Sequence, residues 1–598
     1  MNNNANSDSD SKRLLGRGDV PWVANKTIGE VLRQTASRVP EQDAVFFLSQ
    51  PIRWTWADLD REVDRVARGL LALGFRRGDH FGIWATNVPE WVLLQFATAR
   101  IGVILVTINP SYRQHELAYA IEQSELSGLA SIDQYKTTDY FAELNQAIPE
   151  LRDSFNKVSG TRPPSKEMGN DRTPKVLETF LKLECKQFPK LKWVITLRGP
   201  SQAGTLAWQD LLALADATSE KQLHDAQQEL SCDDPINIQF TSGTTGFPKG
   251  AMLSHRNILL NAFYGGLNQA LTSKDKICIP VPLYHCFGCV LGSLCSIVHG
   301  STMVFPAEGF QAGATLQAIE MERCTAVYGV PTMFISMLEH SDYPMRDLKS
   351  LRTGIMAGSP CPIELMKRVT SEMGASQMTI GYGQTEASPL VTQTSVHDSI
   401  DLRVGTVGRT LPGIEAKVID PETGQGLNDM QHGELCSRGH NVMLGYFKMP
   451  DKTAEAIDTD GWLHSGDLAM REPNGYYRIT GRLRDLIIRG GENIYPREIE
   501  ELLYQHPDIE DVQVIGVPDR KFGEEVMAWV RLRHGQNASD EELKAFCREK
   551  LAYFKVPRYW KFVDTFPMTV TGKIQKFRMR EVSIEELGLQ AVAKIQTA

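Results

Sequence analysis

The stretch HFGIWATNVPEWVLLQFATARIGVILVTI (80–108) reads as strand, helix, strand. Residues 80–85 form a short apolar run, 89–100 a helix, and 103–108 a second apolar run. A βαβ unit of this kind implies a parallel sheet covered by helices. The apolar part, 91–108, carries Gln95 and Arg100 and falls short of the ~20 residues that a membrane helix needs. It reads as a buried helix running into a strand.

Working outward, DLDREVDRVARGLLAL (58–73) reads as a helix before this unit. The same texture resumes at KWVITL (192–197) and runs through IMAGSP (355–360). No repeat of solenoid length is present. Residues 159–175, rich in Pro, Gly and charge, read as a surface excursion, and residues 1–25 as a disordered tail. The grammar changes at GRLRDLIIRGG (481–491). Beyond it come a short helix (EIEELLYQ), two strands (DVQVIGV, VMAWVRLR), a helix opened by Ser539 with Glu542 as a capping box, and a strand, RYWKFVD. The fold expected is α/β. A large N-terminal domain of βαβ sheets (26–481) is joined to a small α+β C-terminal domain (482–598) of roughly 110 residues.

The 598 residues exceed one core, which stops growing at roughly 250–300 residues. A net charge of −9 argues against a nucleic-acid surface. The ten cysteines lie mostly in apolar runs, so Cys278, Cys289, Cys295 and Cys436 read as small core residues in a reducing compartment. Cys286 and Cys289 make one C-x-x-C pair with no second pair at zinc spacing. With no apolar leader and no transmembrane segment, the expected location is cytoplasmic.

PINIQF (235–240) reads as a strand, and TSGTTGFPKG (241–250) follows at once. Gly243, Gly246 and Gly250 allow close backbone approach to a ligand. Thr241, Ser242, Thr244, Thr245 and Lys249 add four hydroxyls and a cation, which suits phosphates. The spacing is not that of a Walker loop, and AMLS reads as a second strand, so the loop joins two strands.

With this loop, PLYHCFG (282–288), AGSP (357–360), GYGQTE (381–386), HSGDLA (464–469), GRLRDLIIRGGENIYPREIE (481–500) and TVTGKIQK (569–576) stand in an order that resembles the adenylate-forming superfamily. That superfamily comprises acyl-CoA synthetases, luciferases and adenylation domains. The resemblance spans about 26 to 580 and is strongest to the medium-chain fatty acyl-CoA synthetase branch. It implies an ATP-dependent fatty acid–CoA ligase that uses Mg²⁺, forms acyl-AMP and pyrophosphate, and then passes the acyl group to CoA.

By the same resemblance, Thr241, Ser242, Gly243, Thr244, Thr245, Gly246 and Lys249 hold the β- and γ-phosphates. Gly358, Ser359 and Pro360 line the adenine, with Tyr382 and Gly383 beside it. Thr385 bonds the α-phosphate, while Glu386, with Thr241, takes Mg²⁺. Asp467 and Arg482 hold the ribose, and Lys573 is the adenylation lysine on a mobile domain. His285, Phe287 and Val330 border an acyl pocket. Gly490 and Gly491 flank the CoA tunnel. Arg484 stands at the hinge, where the family usually has Asp or Lys. The alternatives are a ligase that loads a carrier protein, a regulator that only binds nucleotide and, more remotely, a luciferase-like oxygenase; a homodimer is left open.

Overall fold

The computed structural model describes residues 20–151, 183–199, 202, 204–241, 248–490, 492–569 and 573–593. Ser242–Gly246 of the phosphate loop, Gly491 and the 159–175 excursion lie outside the described residues.

The opening stretch folds as read, with a strand His80–Trp84, a helix Pro89–Arg100 and a strand Ile104–Ile108, and the two strands pair in parallel. Every residue of both strands is buried. They lie within an eight-stranded sheet, which is parallel from Leu206–Ala207 through to Pro235–Thr241 and antiparallel at its other edge. A nine-stranded sheet holds the second parallel block, from Asp43–Phe47 to Gln377–Gly383. Both sheets are mixed, because hairpin strands close their edges. No described helix is long and apolar enough to cross a membrane.

Arg100, which broke the apolar run in the sequence, is fully buried. It pairs with Asp60 and Asp64 of the helix Trp56–Ala72 at 2.5 Å each. Breaking a buried pair strands an uncompensated charge. Arg100→Ala is therefore expected to lower the stability of this unit by about 3–5 kcal/mol in a denaturant titration. Gln95 is paired as well, donating to the Cys289 carbonyl at 2.9 Å and accepting from Ser293 at 2.6 Å.

Residues 21–25, expected in a disordered tail, are ordered on the body of the protein, and residues 1–19 lie outside the described residues. Val23 is fully buried, and Arg256 donates to the Ala24 carbonyl at 2.7 Å, so residues 21–25 pack on the body. A further sheet was not anticipated. Ile414–Ile419, His432–Gly439, Leu463–Arg471 and Tyr477–Arg482 form four antiparallel strands.

After Arg482, five strands make a separate sheet: Glu492–Ile494, Ile487–Arg489, Gly523–Leu532, Ile509–Asp519 and Tyr559–Phe562. Its core comprises Ile487, Ile499, Leu503, Val512, Val526 and Leu543. Ser539 caps its helix through a capping box with Glu542. Where this unit meets the larger one, burial and the nearby Glu339 push the Glu510 carboxyl up to about 7, against the opposing charge of Arg531. A raised folded pKa means the contact contributes fully below the ordinary carboxylate range and is lost as pH rises through about 7. We expect protease access at the junction to increase between about pH 4.5 and pH 7 and to level off above that, and Glu510→Gln to remove that dependence.

Candidate active site

Thr241 and Lys249 face one another at the end of an antiparallel hairpin, where the Thr241 hydroxyl donates to the Lys249 carbonyl at 3.4 Å. The phosphate loop thus joins two strands, and the helix starts after Ser254, which caps it. The Lys249 ammonium lies 4.2 Å from the centre of the Tyr446 ring. Tyr446 is buried, and its hydroxyl donates to Glu386 Oε1 at 2.8 Å. The same segment is strapped on both sides. Met443 N–H donates to the Glu386 carbonyl at 2.9 Å, and Phe447 N–H to Gly250 at 2.8 Å. Tyr446 therefore couples the phosphate lysine to Glu386. Sequence reasoning missed it, because no local pattern marks a tyrosine whose partners lie 60 and about 200 residues away.

Thr385 and Glu386 form a tight turn after the strand Gln377–Gly383. Gly383 has no alternative there, since a Cβ would stand 1.8 Å from the Pro389 carbonyl oxygen. The Thr385 hydroxyl lies 3.9 Å from the Cys286 thiol, which in turn is 3.5 Å from His285 Nδ1. His285 Nδ1 accepts the Phe287 N–H at 3.2 Å. Burial, with Lys573 nearby, lowers the His285 pKa to about 3. It is a neutral ring and a poor base. Phe287 and Val330 are buried, and Phe287 stacks on Tyr328 with ring centres 5.9 Å apart.

The strand Thr353–Ala357 ends at Gly358, whose φ is +87°. Ser359 and Pro360 follow at the open end of the sheet. A Cβ on Gly358 would stand 3.1 Å from Val330 and 3.8 Å from Lys573 Cε, so the Lys573 side chain runs along this turn. Lys573 comes from the small unit, where its backbone N–H donates to the Thr569 hydroxyl at 3.1 Å. Desolvation lowers its pKa, with Arg482 acting in the same direction and Cys286, Glu386 and Asp467 opposing.

Asp467 and Arg482 are cross-strand neighbours, 3.3 Å apart. Tyr382 donates to the other Asp467 oxygen at 2.8 Å. Burial pushes the Asp467 carboxyl up, while Arg482 and the Tyr382 hydroxyl hold it down. Lys573, Glu386, Asp467, Arg482, Tyr382 and Gly358 thus converge on one region. Arg484, exposed and 3.6 Å from Asp485, lies at the edge of this region, where it feels the charges of Arg482 and Asp467. One expected residue stands apart from it. Gly490, with φ +60°, packs on Phe522 within the small unit.

Glu386 keeps hard oxygen donors at the head of the phosphate lysine, with Tyr446 occupying one of them and Thr241 on the facing hairpin. This donor set fits a magnesium ion bound beside phosphates.

Comparison with known proteins places this geometry. Residues 32–447 match the AMP-binding enzyme family and residues 498–573 the AMP-binding enzyme C-terminal domain. The chain is 48% identical over 569 residues to a putative acyl-CoA synthetase, YngI, of Bacillus subtilis, covering 95% of this chain and 99% of that relative. It is 44% identical to the mitochondrial medium-chain acyl-CoA ligase ACSF2 of Danio rerio, covering 95% of this chain and 90% of that relative. Among solved structures, ATP-bound MatB of Rhodopseudomonas palustris superimposes with a TM-score of 0.75 at 27% identity, over 93% of this chain and 99% of that one.

Proposed function

The chain belongs to the AMP-binding enzyme family and is an AMP-forming acid–thiol ligase, and from that premise we propose that its acid is a medium-chain fatty acid. The observation that carries the mechanism is the convergence of Lys573 with Glu386 and Asp467 beside Gly358. The similarity to ligases named for medium-chain acids supports the substrate. So does the apolar wall of Phe287 and Val330.

In the first half-reaction the ionised carboxylate attacks the α-phosphorus and pyrophosphate leaves. No base is required, which agrees with a neutral His285. Thr241 and Lys249 hold the leaving phosphates, Thr385 the α-phosphate, and Asp467 with Arg482 the ribose. The Lys573 ammonium stabilises charge that spreads over the phosphate oxygens as the bond forms. Glu386 and Thr241 would hold magnesium, which supplies charge neutralisation on the phosphates when bound. In the second half-reaction the CoA thiol attacks the mixed anhydride, a thioester forms and AMP leaves.

On this reading the 482–598 unit, which carries Lys573, turns away between the two steps to admit CoA, pivoting at Arg484. Fixing φ there with Arg484→Pro is expected to slow the two half-reactions by unequal factors. Equal single-turnover rates for variant and wild type would remove the hinge. The location we propose is cytoplasmic; ten unpaired cysteines suit a reducing compartment, which sets aside a secreted location. Cell fractionation separates it from the mitochondrial location in the relative's name.

The test of substrate is acid-dependent pyrophosphate release across short, medium and long saturated acids, with and without CoA. A methylene in an apolar pocket is worth only about 1–3 kcal/mol, so a broad maximum at medium length is expected. A maximum at short or long acids would overturn the proposal.

A further inference from the structure

The unanticipated four-stranded sheet carries a cluster that the ligase reaction does not use. Glu434 and Cys436 lie two residues apart on the strand His432–Gly439, and His464 stands opposite Cys436 on the strand Leu463–Arg471. The pairing register shifts between Glu434 and Cys436. Such a bulge re-aims a side chain, and here Glu434 turns toward the same histidine.

His464 Nδ1 is 3.0 Å from Glu434 Oε2 and 3.6 Å from Cys436 Sγ. All three donor atoms lie within 4.8 Å of one another. Zinc bonds of about 2.0–2.1 Å to nitrogen, 2.0–2.2 Å to oxygen and 2.3 Å to sulfur give tetrahedral edges of about 3.3–3.6 Å. The nitrogen–sulfur separation matches such an edge, the nitrogen–oxygen separation is about 0.3 Å shorter, and the third lies within 4.8 Å, so small side-chain shifts bring the three donors to corners of a zinc tetrahedron. From these positions we infer that Glu434, Cys436 and His464 form a binding site for zinc or a similar borderline divalent cation, with water as the fourth ligand.

The surroundings fit that assignment. Asp458 Oδ2 lies 3.6 Å from His464 Nε2, on the far side of the ring. Its other oxygen is fixed by N–H groups of Asp460 at 3.0 Å and Trp462 at 2.8 Å. A carboxylate behind a ligating imidazole orients the ring and raises its basicity. Glu434 Oε1 accepts the Gly466 N–H at 2.9 Å, which leaves Oε2 to the cluster. Cys436 is fully buried, while the His464 side chain is 30% exposed, so the fourth corner faces solvent. Lys417 lies across from Cys436, and its ammonium rests over the Trp462 ring at 4.3 Å. The thiol favours zinc over magnesium or calcium.

The competing reading is a hydrogen bond from His464 to Glu434 with a bystander thiol. Cobalt(II) titrated into the full-length protein separates the two. We expect one cobalt per chain, with a thiolate-to-cobalt charge-transfer band that zinc abolishes. Cys436→Ser should remove the band, and Asp458→Asn should weaken binding about tenfold or more. Cys232→Ser, at a half-buried cysteine elsewhere, should leave the band intact. Should Cys436→Ser fail to fold, the partly exposed His464→Gln carries the test and is expected to lose the band. No band in the folded wild type, or a band that survives Cys436→Ser or His464→Gln, overturns the site.

Discussion

Lys573→Ala is expected to slow acid-dependent pyrophosphate release by about 10²–10³-fold while thioester formation from supplied acyl-AMP stays within about twofold of wild type. The split follows from where charge develops. Attack at the α-phosphorus spreads negative charge over the phosphate oxygens, and the Lys573 side chain runs past the turn at Gly358 into the region shared with Glu386 and Asp467. An ammonium in that enclosed place acts on the transition state more than on the bound substrates. Thioester formation begins from an adenylate already made and develops its charge on the acyl carbonyl oxygen as the thiol adds to the carbon. The lysine has no part there, and under the proposed rotation its unit has turned away by that step. Desolvation also lowers the Lys573 pKa. Adenylation should therefore decline at a lower pH than an ordinary lysine would dictate, and that alkaline limb should vanish in the variant. Equal losses in both half-reactions would mean that Lys573 supports the fold or the docking of the small unit, not the chemistry.

The parts of this protein that were legible in its sequence are those where local rules act alone. The unit at 80–108 was readable because buried parallel strands are continuous apolar runs and the intervening helix has a definite length. The hairpin around 241–249 was readable from its glycines and the strand on each side. The four-stranded sheet at 414–482 escaped notice. Ile414–Ile419 does alternate apolar and polar residues, but its partner strands His432–Gly439 and Leu463–Arg471 carry Glu434, Ser437, His464 and Asp467 among their apolar residues and show no such alternation. Candidate site residues came from motif order and not from local physics. Their mutual contacts could not be read, because Tyr446 meets Glu386 across 60 positions and Lys573 meets Gly358 across 215. The Glu434–Cys436–His464 cluster was hidden for the same reason. A cysteine in an apolar strand reads as core until its cross-strand neighbour is known.

Asp467→Ala is expected to lower kcat/KM for ATP by about 30- to 1000-fold, the loss of roughly 2–4 kcal/mol, with little change in KM for the acid. Asp467 is nearly buried and has two fixed partners, the Tyr382 hydroxyl at 2.8 Å and Arg482 at 3.3 Å. A carboxylate so held presents its remaining lone pairs in one direction, which suits two vicinal hydroxyls. Removing it deletes those acceptors and also leaves the Arg482 guanidinium and a buried phenol without their partner. Those two contributions separate with altered nucleotides. In the wild type, 2′-deoxy- and 3′-deoxy-ATP should each be poorer substrates than ATP, because a hydroxyl is missing from the pair. In Asp467→Ala the three nucleotides should become nearly equivalent, since the acceptor that distinguished them is gone. Asp467→Asn keeps the shape and one acceptor, and should fall between. If the deoxynucleotides are discriminated as strongly in Asp467→Ala as in the wild type, then Asp467 holds Arg482 and Tyr382 in place but does not touch the ribose, and the nucleotide must sit elsewhere along the strand ends.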